Sequence, residues 1–142
     1  LPIRMGILTL HSLGKISLLP SYHNQQYIWP IGYKISRQVL TYLSIVNPSG
    51  NTTYVCSIED NGHAGPKFQI IAEDCPHHTI IGNSATEVWT IIVRRANEIR
   101  NNPYSGTASG PDYYGLTQPV ITQMIQDLPN ANQCKNYIWK HF

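Results

Sequence analysis

Apolar residues cluster in short runs along the first two-thirds of the chain and then change to helical spacing. Ile7 to Leu10, Tyr27 to Tyr33, Ile35 to Ile45, Thr52 to Glu59 and Lys67 to Ala72 are rich in β-branched and aromatic residues, which suits pleated, half-buried strands. Asn47-Pro48-Ser49-Gly50-Asn51 supplies turn chemistry between two of these runs and predicts an antiparallel hairpin. Asn61-Gly62-His63-Ala64-Gly65-Pro66 interrupts again and is too short for a crossover helix, so a third strand is expected in the same sheet.

Ser84-Ala85-Thr86-Glu87 then reads as a capping box, with the Ser84 hydroxyl accepting the Glu87 amide and Glu87 reaching back to the Ser84 amide. Val88, Ile91, Ile92, Ala96 and Ile99 form an apolar stripe on the predicted helix, with Arg94, Asn97 and Glu98 on its other faces. Asn101-Asn102-Pro103 ends it, since proline disfavours helical dihedrals in the residue before it. A Gly/Ser-rich loop, Ser105 to Gly110, leads to a second helix capped by Thr117, with Pro119 in its first turn. Val120, Ile121, Met124, Ile125 and Leu128 are its predicted buried stripe, and Pro129-Asn130 its end. Tyr137-Ile138-Trp139 is too apolar for open water and predicts a final strand or a docked segment.

The expected fold class is α+β, a single compact module with an antiparallel meander sheet and two main helices packed on it. The length of 142 residues fits one domain. With 13% charged residues and a formal charge of +2, the chain lacks the concentrated basic face that phosphate neutralisation needs, so direct nucleic-acid binding is disfavoured. Cys56, Cys75 and Cys134 are an odd number without C-x-x-C spacing, which argues for a reducing compartment. No apolar run reaches membrane-span length and the first residues lack the regions of a signal peptide, so no membrane partner is expected. Asn51-Thr52-Thr53 matches a glycosylation sequon that matters only in secreted chains.

Catalytic constellations do not assemble from these residues. Asp74, Cys75, His77 and His78 are candidate metal ligands, but neighbours in an extended segment point to opposite faces, and the residues after Pro76 read as a polar surface turn. Ser84 serves better as a helix cap than as a nucleophile, and Cys56 sits in a strand pattern as a small apolar residue. Gly106, Gly110 and Gly115 lie between helices, the wrong context for a phosphate loop. An enzyme would have to join His23 or His63 to a carboxylate such as Asp60, Asp74 or Asp112. His23 could also act as a pH switch, against the more ordinary role of a hydrogen-bonded structural histidine. No cofactor, metal or small-molecule substrate is expected.

Ser12-Leu13-Gly14-Lys15-Ile16, His23, Tyr27-Ile28-Trp29-Pro30-Ile31-Gly32-Tyr33 and Arg37 resemble the FYRN motif, which Tyr54-Val55-Cys56-Ser57-Ile58 completes. Pro66-Lys67-Phe68, Gly82-Asn83-Ser84, Trp89, Gly110-Pro111-Asp112-Tyr113-Tyr114-Gly115-Leu116 and Leu128-Pro129, then Cys134 and Tyr137, resemble FYRC. The resemblance spans nearly the whole chain and implies one joint domain over residues 1–142, with an FYRN half at 1–60 and an FYRC half at 66–142. FYR regions occur in trithorax and mixed-lineage-leukaemia type histone methyltransferases, in JmjC-type lysine demethylases and in transforming growth factor beta regulator one. The resemblance therefore implies a nuclear, non-catalytic module that binds a chromatin-associated protein or transcription factor. The alternative is a histone-tail or nucleic-acid contact within a methyltransferase or demethylase, through Arg94, Arg95, Arg100 and Trp139. Arg94, Arg95 and Trp139 are the candidate partner-binding residues. The signature glycines suit tight turns, while Tyr33, Tyr54, Phe68, Trp89 and Tyr114 are expected to supply buried area.

Overall fold

Alternation on the strands sorts side chains to two faces, and one face is sealed by helices. The computed structural model describes residues 1–39, 44–47, 50, 52–101 and 109–142. Six strands, β1 (Ile3–Met5), β2 (Leu8–Ser12), β3 (Lys34–Val39), β4 (Thr52–Glu59), β5 (Lys67–Ala72) and β6 (Cys75–Gly82), form one antiparallel meander in the order β1-β2-β3-β4-β5-β6. Leu10, Ile35, Cys56, Ile70 and Ile80 lie opposite one another across five strands, and all five are buried. The next residue along each strand points to the other face, where Thr9, Ser36, Val55, Ile71 and Thr79 remain at least partly exposed.

The helices α1 (Ala85–Ile99), α2 (Gly110–Tyr113) and α3 (Pro119–Gln126) follow the sheet. α1 begins as the sequence predicts, with the Glu87 amide donating to Ser84 Oγ at 3.0 Å. The return half of the box differs, because Glu87 Oε2 accepts from the Asn83 amide at 3.1 Å instead of from Ser84. Val88, Trp89, Ile92 and Ala96 are buried on its inner face. At its end Arg100 donates to the carbonyls of Ser44, Asn47 and Gly50 at 2.9, 3.2 and 3.1 Å, tying the β3–β4 connection to the helix. α2 lies against the start of α1 so closely that a Cβ on Gly110 would stand 2.1 Å from Ala85 C and Thr86 N.

Several sequence expectations need correction. The stretch after Pro76 is not a surface turn but β6, whose Ile80 and Gly82 face the core while the intervening side chains face water. The predicted strand at Ile7 to Leu10 is the second arm of a hairpin, β1–β2. Tyr27 to Tyr33 forms only isolated bridges, His23 with Ile28 and Lys15 with Ile31, because Pro30 lacks a donor and the chain bends at Gly32. There Gly14 has φ +73 and an added Cβ would meet the Ile31 carbonyl at 2.3 Å. Of the predicted strand Ile35 to Ile45, residues 40–43 lie outside the described residues, as do Asn102, Pro103 and Ser105 to Ala108. α3 is preceded by Gln118 without a side-chain cap, since Thr117 Oγ1 donates instead to Asp112 Oδ1 at 2.6 Å. Val120, assigned to its buried stripe, is 55% exposed.

Candidate functional site

The signature aromatics join the part of the chain before Asp60 to the part after Pro66. Trp89 of α1 stacks on Tyr113 with centroids 4.5 Å apart and meets Tyr54 of β4 edge-on at 5.1 Å. The Arg37 guanidinium covers the outer side of Tyr113 at 4.6 Å and donates to the Asp112 carbonyl at 3.2 Å. A second series runs Trp29, Phe68, Tyr114, each pair edge-on at 6.1 and 5.5 Å. Edge-to-face packing satisfies the ring quadrupoles beyond simple area burial. The Tyr33 hydroxyl donates to the Tyr114 carbonyl at 2.7 Å, and the Tyr114 hydroxyl donates to Ser57 and Gln69 carbonyls at 3.1 and 3.3 Å. Ser57 and Gln69 face each other across β4 and β5. Pro30, Gly110 and Leu116 are buried with this assembly, and Gly115 turns beneath it with a positive φ.

Several of the groups singled out for chemistry are engaged in holding the fold. Cys56 is fully buried, and that burial pushes its thiol pKa up against the pull of Arg37 and the Trp89 indole. Asp60 Oδ1 accepts from the Gly62 amide at 2.9 Å and from the Tyr22 hydroxyl at 3.0 Å, bonds that hold its pKa below the usual carboxylate range. Asp112 is held low in the same way by Thr117 and Ser109. Asp74 accepts from Ser44 Oγ, and His78 Nε2 lies 2.9 Å from Arg95 Nη1. Among the described residues no three His, Cys, Asp or Glu side chains converge as a metal site. His23 is buried, accepts the Asn136 amide on Nε2 at 3.2 Å, and has its pKa lowered by burial.

The candidate partner residues fall on two elements. Arg94 is exposed and Arg95 partly exposed on α1, whereas Trp139, 38% exposed, lies on the C-terminal tail and packs edge-on against Tyr137. That tail is docked and not a strand. Gln126, at the end of α3 and buried, accepts the Lys140 amide on Oε1 at 2.9 Å and donates through Nε2 to the Lys140 carbonyl at 3.0 Å. The same Oε1 accepts the Tyr137 hydroxyl at 2.8 Å, and the Ile138 amide donates to the Gln25 carbonyl at 3.0 Å. Lys140 Nζ sits over the Tyr27 and Tyr137 rings, 5.5 and 5.1 Å from their centroids, and donates to the Gln26 carbonyl. Sequence reasoning missed Gln126 and Lys140, and named Tyr27 only as part of a strand run and the signature motif. Only the apolar character of the tail pointed toward its docking.

Comparison with known proteins agrees with this aromatic architecture: the F/Y-rich N-terminus family, FYRN, matches residues 1–61 and the F/Y rich C-terminus family, FYRC, matches residues 65–142. The chain belongs to the FYR family. Transforming growth factor beta regulator 1 of Mus musculus is 36% identical over 146 residues, covering 99% of this chain and 34% of that protein. The histone-lysine N-methyltransferase trr of Drosophila melanogaster is 30% identical over 98% of this chain and 6% of its own length. The lysine-specific demethylase JMJ703 of Oryza sativa subsp. japonica is 32% identical over 84% and 10%. This FYR module thus spans about a third of the first relative and a tenth or less of the other two. Its relatives include histone-modifying enzymes whose names describe activities of much longer chains. Aromatic rings bridge the two matched regions: Tyr33 from the first donates to the Tyr114 carbonyl of the second, Tyr54 meets Trp89, and Trp29 meets Phe68.

Proposed function

We propose that this FYR module is a non-catalytic protein-interaction domain of a nuclear chromatin or transcription regulator, and that it binds a chromatin-associated protein or transcription factor. The observation that carries the reading is the commitment of several of its reactive groups to the fold. The Cys56 thiol is buried, Asp60 and Asp112 are tied by hydrogen bonds, and Arg100 is spent on backbone carbonyls. Any methylation or demethylation then belongs to another part of the parent protein, as fold-level kinship alone assigns no chemistry. Arg94 and Arg95 remain the candidate contacts for an acidic partner on α1, with Trp139 on the tail.

The test is capture from nuclear extract with the intact 142-residue chain, nuclease present throughout, beside an Arg94→Glu, Arg95→Glu variant. A defined protein retained after nuclease is the expected result, and its loss in the variant assigns the α1 face to the contact. Recovery of nuclease-sensitive material alone would replace this reading with nucleic-acid binding, which should also weaken steeply with salt.

A further inference from the structure

We infer that the outer flank of α3 and the docked tail form a groove for a short amphipathic segment of a partner protein, carrying two apolar side chains and a neighbouring carboxylate. The inference rests on the interaction-module reading and names the surface and the chemistry of its ligand.

The groove begins with an anomaly in α3. Its eight residues include no charged side chain. Ile121 and Ile125 point into the core, yet Val120 on the adjoining flank is 55% exposed and Met124 beside it is partly exposed. A solvated helix face ordinarily carries charges there, and contiguous exposed apolar surface marks interaction sites. Pro119, Val120, Gln123, Met124 and Phe142 line a hollow of about 310 Å³. A second hollow of about 310 Å³, lined by Tyr27, Leu116 and Lys140 with the polar Gln26, Thr117 and Thr122, shares Phe142 with the first. Two hollows that share the Phe142 ring, the first apolar and the second edged by polar groups, suit two anchors of a peptide, as in helix-in-groove recognition.

The far wall is preformed. Gln126 grips Lys140 by both its amide and its carbonyl, and takes the Tyr137 hydroxyl as well. Holding the wall in place before binding removes an ordering cost from association.

Charge decides which peptide fits. Residues 134–142 contain Lys135, Lys140 and His141 and no acid. Lys140 stands at the second hollow on two tyrosine rings, and burial lowers its pKa with no opposing carboxylate among the described residues. Two acids flank the site, Asp127, which accepts from Gln123 Nε2 at 3.1 Å, and Asp112, which accepts from Thr117 and Ser109; these neutral donors leave the carboxylates charged, so the partner acid has to be placed at Lys140 itself. A partner carboxylate beside Lys140 would complete the site, whereas a basic segment would meet like charge.

Selection of short random peptides displayed on phage against the intact chain tests this directly. The expected winners carry apolar residues three or four apart with Asp or Glu alongside. They should bind a Val120→Glu chain about tenfold or more weakly and a Lys140→Ala chain several-fold more weakly, while binding the Arg94→Glu, Arg95→Glu chain unchanged. Thermal melts check that each variant folds. Amide chemical-shift mapping of the unaltered chain provides a second measurement, in which changes should centre on Val120, Met124 and Lys140. No enrichment, winners without acid, or shifts centred on α1 would overturn the inference. A nuclear partner still captured by the Val120→Glu chain would sink the groove and leave the module reading standing, whereas failure of all nuclear capture sinks the module reading itself.

Discussion

On the inner face of the sheet, Tyr33, Tyr54, Phe68, Trp89 and Tyr114 are completely enclosed. Along α3 and the tail, Tyr27 and Tyr137 are only partly buried and Trp139 is 38% exposed. Both regions are aromatic, and both bring together residues far apart in sequence. They differ in what holds them. The core rings interlock through buried area and edge-on contacts, so their removal costs global stability. The tail is held chiefly by one carboxamide and a few backbone bonds, so its removal should be a local event that leaves the sheet intact. The contrast separates residues that specify the fold from those free to serve a partner, and it can be broken by substitution in either region.

The largest effect is expected at the centre of the core. Trp89→Ala deletes a ring packed on both Tyr54 and Tyr113 and should destabilise the chain by about 3–5 kcal/mol. Denaturant unfolding would read it as a shifted midpoint. A smaller loss should follow from Tyr114→Phe, which keeps the ring against Phe68 but removes the hydroxyl that joins β4 to β5. That change should cost about 1–2 kcal/mol. An equal or larger loss than at Trp89 would mean that polar bridging, not ring packing, holds the two regions of the chain together.

Gln126→Leu tests the other side of the comparison. The replacement is similar in volume, but Lys140 loses partners for its amide and carbonyl and Tyr137 loses its acceptor. Amide exchange at Ile138 and Lys140 should accelerate by about tenfold or more, with exchange in β3 to β5 unchanged. Uniform acceleration through the sheet would show that the tail belongs to the core's cooperative unit.

What the sequence revealed follows the same division. The β-branched and aromatic runs of β4 and β5 and the stripe of α1 were legible because composition and spacing within a short window report burial. The Ser84 cap was legible for a similar reason, since donor and acceptor lie three residues apart. β6 was misread because it is an edge strand whose Pro76, His77 and His78 face water and imitate a turn. Val120 shows the limit of stripe counting: its spacing fits the core face of α3, yet the helix turns it outward beside the tail. The Gln126 clamp gave no sequence signal at all, because a carboxamide that reads a backbone fourteen residues away has no period. Aromatic signature residues pointed correctly to packing, while the open flank next to them could be found only in three dimensions.

The smallest expected effect is a pH dependence that links the two regions through His23. Its Nε2 accepts the Asn136 amide, so the ring proton resides on Nδ1, which is buried without a partner. Adding a proton to Nε2 would set it against the Asn136 N–H. Burial lowers the folded-state pKa below the ordinary histidine value, so below about pH 6.5 the unfolded chain binds a proton that the folded chain refuses. Stability contributed by neutral His23 is therefore fully present above that value. It falls as pH drops toward the folded pKa, with a slope of at most about 1.4 kcal/mol per pH unit for one proton. Because the bond it breaks lies at the start of the tail, Asn136 to Lys140 should lose exchange protection before β4 does. A His23→Gln chain, which cannot titrate there, should show a flatter profile between pH 7 and pH 5. Parallel profiles for the two chains would remove His23 from the account and leave Gln126 as the tail's anchor.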